Sequence, residues 1–129
     1  MKIRLNERVL KEKILNEMAQ IGTTEDGYVV FVRSNDSGNI PHFHYFDAET
    51  FGDKFHSCIR LDSPAYFPHE GKDDVLNHKQ RKNLVSFLKS PYRRFGITQW
   101  EHLLIEWNDN NEHANVDEDI DMPDYTLLK

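Results

Sequence analysis

Three histidines, His42, His44 and His56, have the types and spacing that reach furthest toward chemistry in this chain. Side chains of an extended segment alternate between faces, so His42, His44 and Phe46 fall on one face and Phe43 and Tyr45 on the other. Two imidazoles on one face can ligate a transition metal or hold a phosphate. If the following loop centres near Thr50, His44 lies roughly opposite His56, and a third imidazole joins the patch. Three ring nitrogens at about 2.0–2.1 Å and an open position suit a metal such as zinc, with Asp47, Glu49 or His69 as a fourth ligand. His42, His44 and His56 are therefore the candidate metal ligands. Two other readings stay open: histidines bonded to backbone or water on a half-exposed sheet, and an anion or nucleotide phosphate held by them with Arg60.

Charge gives a second candidate surface. The net charge of −6 hides two blocks of opposite sign. Residues 75–100 carry Lys79, Arg81, Lys82, Lys89, Arg93 and Arg94 and no carboxylate, with Tyr92 and Phe95 interleaved. That combination can track phosphates and stack bases, so Lys79, Arg81, Lys82, Arg93 and Arg94 are candidate contacts for nucleic acid or a protein partner. Residues 106–124 hold eight carboxylates and no Lys or Arg. Such a tail can solvate itself, fold back on the basic block, or imitate a nucleic-acid backbone.

Other chemistries lack their residues. No phosphate-binding glycine motif occurs, HEG at 69–71 and NHKQR at 77–81 lack the i, i+4 His pair of a zincin helix, and Glu101 and Glu106 point 140° apart on a helix. Cys58 is the lone cysteine, which excludes an internal disulfide framework and a Cys-rich zinc site and fits a reducing, cytoplasmic compartment. It reads as a buried structural thiol. No signal peptide and no membrane span is expected, since no run of 18 apolar residues occurs.

The elements that must position these groups follow from periodicity. Leu10, Ile14, Met18 and Ile21 mark one face of an N-terminal helix capped by Asn6 and ending near Gly22. GYVVFVR at 27–33, apolar on both faces, reads as an inner strand. Residues 34–40 form a turn, 42–47 and 55–61 the next strands, and together they make a three-stranded antiparallel meander. Asn77 with Gln80 and Thr98 with Glu101 are capping boxes opening two helices, the second presenting Trp100, Leu103, Leu104 and Trp107 to the core. The expected fold is one α+β domain over 1–108 with an acidic tail, 109–129, docked through Met122, Tyr125, Leu127 and Leu128.

With the elements placed, VVFVRSNDSGNIPHFHY resembles a small, largely uncharacterised bacterial family with a Pro-His-x-His-Val signature. The likeness extends loosely over 27–108 through Leu76, Gln80, Leu84, Trp100, Leu104 and Trp107. This chain departs from the pattern: Tyr45 stands for the usual Val, residues 63–74 and 90–97 look inserted, and the acidic tail is extra. The resemblance implies a strand, polar turn, His-rich strand and third strand closed by two helices, and a regulatory or interaction role. The resulting expectation is a small non-enzymatic module of bacterial or mobile-element origin that acts through a protein partner or larger assembly and needs no cofactor. The alternatives are a metal-dependent hydrolase or nuclease built on His42, His44 and His56, and a nucleic-acid-binding or nucleic-acid-mimicking protein.

Overall fold

The computed structural model describes residues 18–33, 40–68, 71–92 and 96–128. Four strands, β1 (Met18–Thr23), β2 (Tyr28–Arg33), β3 (His42–Asp47) and β4 (His56–Arg60), form one antiparallel sheet in sequence order. Helix α1 (His78–Lys89), a short hairpin of β5 (Pro91–Tyr92) and β6 (Ile97–Thr98), helix α2 (Gln99–Asn110) and two 3-10 turns, Glu112–Ala114 and Tyr125–Leu127, complete the order.

The sheet thus has four strands rather than three, and the N-terminal helix expected to end near Gly22 is corrected over its last turn. Met18 and Ile21 lie in β1, paired with Arg33 and with the β2 stretch around Phe31, and a bulge sits between Gln20 and Gly22. The rest of that expected helix lies outside the described residues. The physical reason is in β2. Val29, Val30, Phe31 and Val32 are buried, and a strand buried on both faces requires hydrogen-bonding neighbours on both sides. β3 supplies one and β1 the other. Gly22 lets β1 pass under α1, because a Cβ there would meet the Phe87 ring at 2.6 Å.

The core lies between one sheet face and the two helices. Val30, Val32, Phe43, Tyr45 and Ile59 pack against Leu84 and Leu88 of α1 and Leu103, Leu104 and Trp107 of α2. Full burial of each large apolar side chain contributes about 1.5–3 kcal/mol, so this layer dominates stability. Both capping boxes form: Asn77 Oδ1 accepts from Gln80 N at 2.8 Å, and Thr98 Oγ1 accepts from Glu101 N at 3.2 Å.

The acidic tail meets the body through hydrogen bonds and through Ala114, Tyr125 and Leu128 in the core. Trp107 Nε1 donates to Ala114 O at 2.7 Å, Trp100 Nε1 to Ile120 O at 3.2 Å, and the Tyr125 hydroxyl to Arg60 O at 2.6 Å. Tyr125 and Leu128 are buried, whereas Leu127 is exposed. Residues 118–122 lie beside Thr98, Trp100 and Glu101 at the first turn of α2, around a cavity of about 300 Å³.

Buried phenols give the fold an alkaline limit. Burial pushes the Tyr125 hydroxyl well above its ordinary value, with the Asp62 charge acting in the same direction. Tyr45 is raised in the same way, first by burial and then by the Asp26 charge, with a smaller opposing contribution from the Thr24 hydroxyl. Both stay protonated when folded, but ionise near pH 10 when unfolded. Their stabilisation is therefore fully present below about pH 10 and is lost as pH rises further. Urea midpoints should hold steady from neutral pH to about 9 and fall beyond 10, and Tyr125→Phe should flatten that fall while costing about 1 kcal/mol at neutral pH.

Candidate metal centre

Strand β3, HFHYFD, distributes its side chains as alternation requires. Phe43 and Tyr45 enter the core, while His42, His44 and Phe46 occupy the opposite face beside Val29 and Phe31 of β2 and His56, Cys58 and Arg60 of β4. The register is set by the 47–55 turn. The Asp47 carboxylate accepts from the backbone N–H and hydroxyl of Thr50 and from Phe55 N at 3.1 Å. Desolvation alone would raise that carboxyl, but these hydrogen bonds outweigh it and hold it below its ordinary value. Asp47 is therefore a turn cap rather than a ligand.

Phe51 and Gly52 both adopt positive φ, 54° and 87°, which moves the turn centre one residue past Thr50. His44 consequently pairs with Cys58, and His56 with Phe46. The two imidazoles still meet, diagonally across the strand pair: His44 Nδ1 lies 2.9 Å from His56 Nε2, and Cys58 Sγ lies 3.4 Å from the same His44 nitrogen. All three donor atoms fall within 4.8 Å of one another.

A tetrahedral ion with bonds of about 2.05 Å to nitrogen and 2.3 Å to sulfur would separate two nitrogens by roughly 3.3 Å and nitrogen from sulfur by roughly 3.6 Å. The His44–Cys58 spacing is near that already. The two imidazoles need to part by only a few tenths of an ångström, within ordinary side-chain adjustment.

His42 shares the face and its ring centre is 5.3 Å from that of His44, but its Nδ1 lies 2.8 Å from Ile40 O and its ring sits between Phe67 and Trp107. The structure therefore gathers His44, His56 and Cys58, with His42 as a packed neighbour. His69 lies outside the described residues. Cys58 was assigned only packing by the sequence, and the signal for it was register: any hairpin in which residue pairs sum to 102 rather than 100 puts position 58 across from His44.

The surroundings are apolar and stiff. Phe31 stacks on His44 with ring centres 4.7 Å apart, and Phe46 lies 5.4 Å from His56. His44 and Cys58 are fully buried, and His56 partly so. The outer edge of β4 is paired as well. Phe67 N donates to Cys58 O at 2.9 Å, Asp74 N to His56 O at 3.2 Å, and His56 N to Asp74 Oδ2 at 2.8 Å. Both β4 donors thus sit on backbone fixed from two sides.

Gly52 ties the turn to the trio. A Cβ at this position would lie 2.9 Å from His56 Nδ1, and its φ disfavours any L side chain. Gly52→Ala should cost about 1 kcal/mol or more in urea unfolding and displace the His56 ring. Arg60, on the same face, donates twice to Asp62, at 2.7 and 2.8 Å, so an anion held by histidines and Arg60 lacks a disengaged cation.

Of the basic candidates, three lie in the described residues. Lys79 and Lys82 are exposed on α1, while Arg81 turns back to donate to Leu76 O at 2.7 Å, and Arg93 and Arg94 lie outside the described residues. Among the described residues, no helix is long and apolar enough to cross a membrane. No family model, curated protein or solved structure matches the chain.

Proposed function

We propose that this protein is a small non-enzymatic module whose regulatory or interaction role depends on a transition-metal ion held by His44, His56 and Cys58. The observation that carries the reading is the convergence of two imidazole nitrogens and a thiol within 4.8 Å on the buried sheet face. His44 Nδ1 already faces His56 Nε2 at 2.9 Å and Cys58 Sγ at 3.4 Å, so the lone-pair atoms of all three side chains converge on one small volume. Soft thiolate and imidazole donors gathered in this way suit a transition-metal ion, which would replace those mutual contacts.

Burial argues for a structural or regulatory ion over a hydrolytic one. A hydrolase must present its metal and activated water to substrate, whereas two of these three ligands are fully buried and flanked by Phe31 and Phe46. Metal analysis of protein purified without a tag tests the reading. About one equivalent should accompany the wild type, and Cys58→Ser and His56→Gln should each lower it severalfold. Equal metal content in all three proteins, or none in any after metal is added back, would overturn it.

A further inference from the structure

We propose that the ion this site selects is monovalent copper, copper(I); the inference rests on the reading of His44, His56 and Cys58 as a metal centre. Charge is the first argument. Among the described residues, the group of donor atoms that converges here contains one thiol, two imidazoles and no carboxylate. Once Cys58 is deprotonated the ligand set carries a single negative charge. Copper(I) then leaves the buried site neutral, whereas Zn²⁺ leaves a net positive charge beneath Phe31 and Phe46. An uncompensated buried charge is penalised by several kcal/mol even after relaxation. Arg60, on this sheet face, is itself a cation paired with Asp62 and cannot offset it, and the Asp74 carboxylate is engaged by the His56 backbone N–H at 2.8 Å rather than by the donor atoms.

Coordination number is the second. Structural zinc takes four ligands, and three are gathered here, all from adjacent strands of one sheet face. Copper(I) has no such need for a fourth donor, and soft thiolate ligands select it. Of the carboxylates in the 47–55 turn, Asp47 is engaged by Thr50 and Phe55, Glu49 and Asp53 are exposed, and none belongs to the converging donor group.

The chemistry balances without electron transfer. The Cys58 S–H bond breaks, an S–Cu bond forms, and the proton leaves to solvent. His44 Nδ1 and His56 Nε2 donate lone pairs. The proton that one of these facing nitrogens supplies to the other at 2.9 Å must therefore move to the far nitrogen of its ring. Copper enters and stays as copper(I).

The test is anaerobic competition of the full chain against a chromogenic copper(I) chelator, alongside a matched titration with Zn²⁺ and a zinc chelator. Copper(I) should bind one to one and on the order of a thousandfold more tightly than Zn²⁺. Cys58→Ser and His56→Gln should each weaken copper(I) on the order of a hundredfold or more. His56 is the partly exposed ligand, so its variant keeps the test interpretable if Cys58→Ser fails to fold by circular dichroism. Zn²⁺ bound through the same residues as tightly as copper(I) would overturn the copper assignment and leave the metal centre standing. No binding of either ion that depends on these residues would overturn both.

Discussion

Saturating metal should raise the thermal midpoint of the wild-type protein by on the order of 10 °C and leave that of His44→Gln unchanged. At a free-ion concentration of 100 times Kd, a ligand that binds only the native state stabilises it by about 2.7 kcal/mol, and a domain of this size gains roughly 3–5 °C per kcal/mol. His44 is the decisive position because its Nδ1 is the atom both other donors approach, at 2.9 and 3.4 Å. His44→Gln should also destabilise the metal-free protein, since it removes the stack on Phe31 from a fully buried site. That loss is separate from the metal-dependent shift. Scanning calorimetry with and without added ion measures both, and a shift of equal size in the variant would place the ion elsewhere.

The second large effect belongs to Trp107. Its side chain is fully buried in the core, its ring centre is 5.4 Å from that of His42, and its Nε1 donates to Ala114 O at 2.7 Å. Trp107→Ala should cost about 3–5 kcal/mol, from lost transfer energy and from the cavity left by incomplete collapse. It also removes a tie to the tail. The urea midpoint should drop sharply, and protease cleavage after residue 110 should accelerate. Trp107→Phe separates the two contributions, retaining most of the volume and losing the hydrogen bond to Ala114, so it should cost only about 1–2 kcal/mol. An alanine variant within about 1 kcal/mol of wild type would contradict the packing described.

How far the sequence carried this structure depended on whether a signal was local. Capping boxes at Asn77 and Thr98 and the Trp100, Leu103, Leu104, Trp107 stripe are statements about residues within two turns, and both helices lie where they point. β1 was hidden because Met18 and Ile21 complete a helical spacing with Leu10 and Ile14. What assigns them to a strand is the unmet hydrogen-bonding demand of β2, a tertiary fact. A reading of 27–33 as an inner strand already implied a neighbour on each side, so the fourth strand was recoverable by consistency.

The candidate site was legible to within one residue of register. Alternation placed His44 on the correct face, and His56 was expected to join it. Cys58 depended on where the turn centred, which Phe51 decides by adopting a positive φ that a non-glycine residue seldom takes. Propensity gives no reason to expect that conformation at a phenylalanine. The packing of Phe51 on Phe46, with ring centres 5.0 Å apart, is the contact that accompanies it.

X-ray absorption at the metal edge of the loaded, untagged protein addresses the assignment of the ion to His44, His56 and Cys58 at the level of the ligand atoms themselves. One sulfur and two imidazole nitrogens should surround the ion, and the sulfur scatterer should vanish in Cys58→Ser. A shell of nitrogen and oxygen alone in the wild type, unchanged by Cys58→Ser, would contradict it.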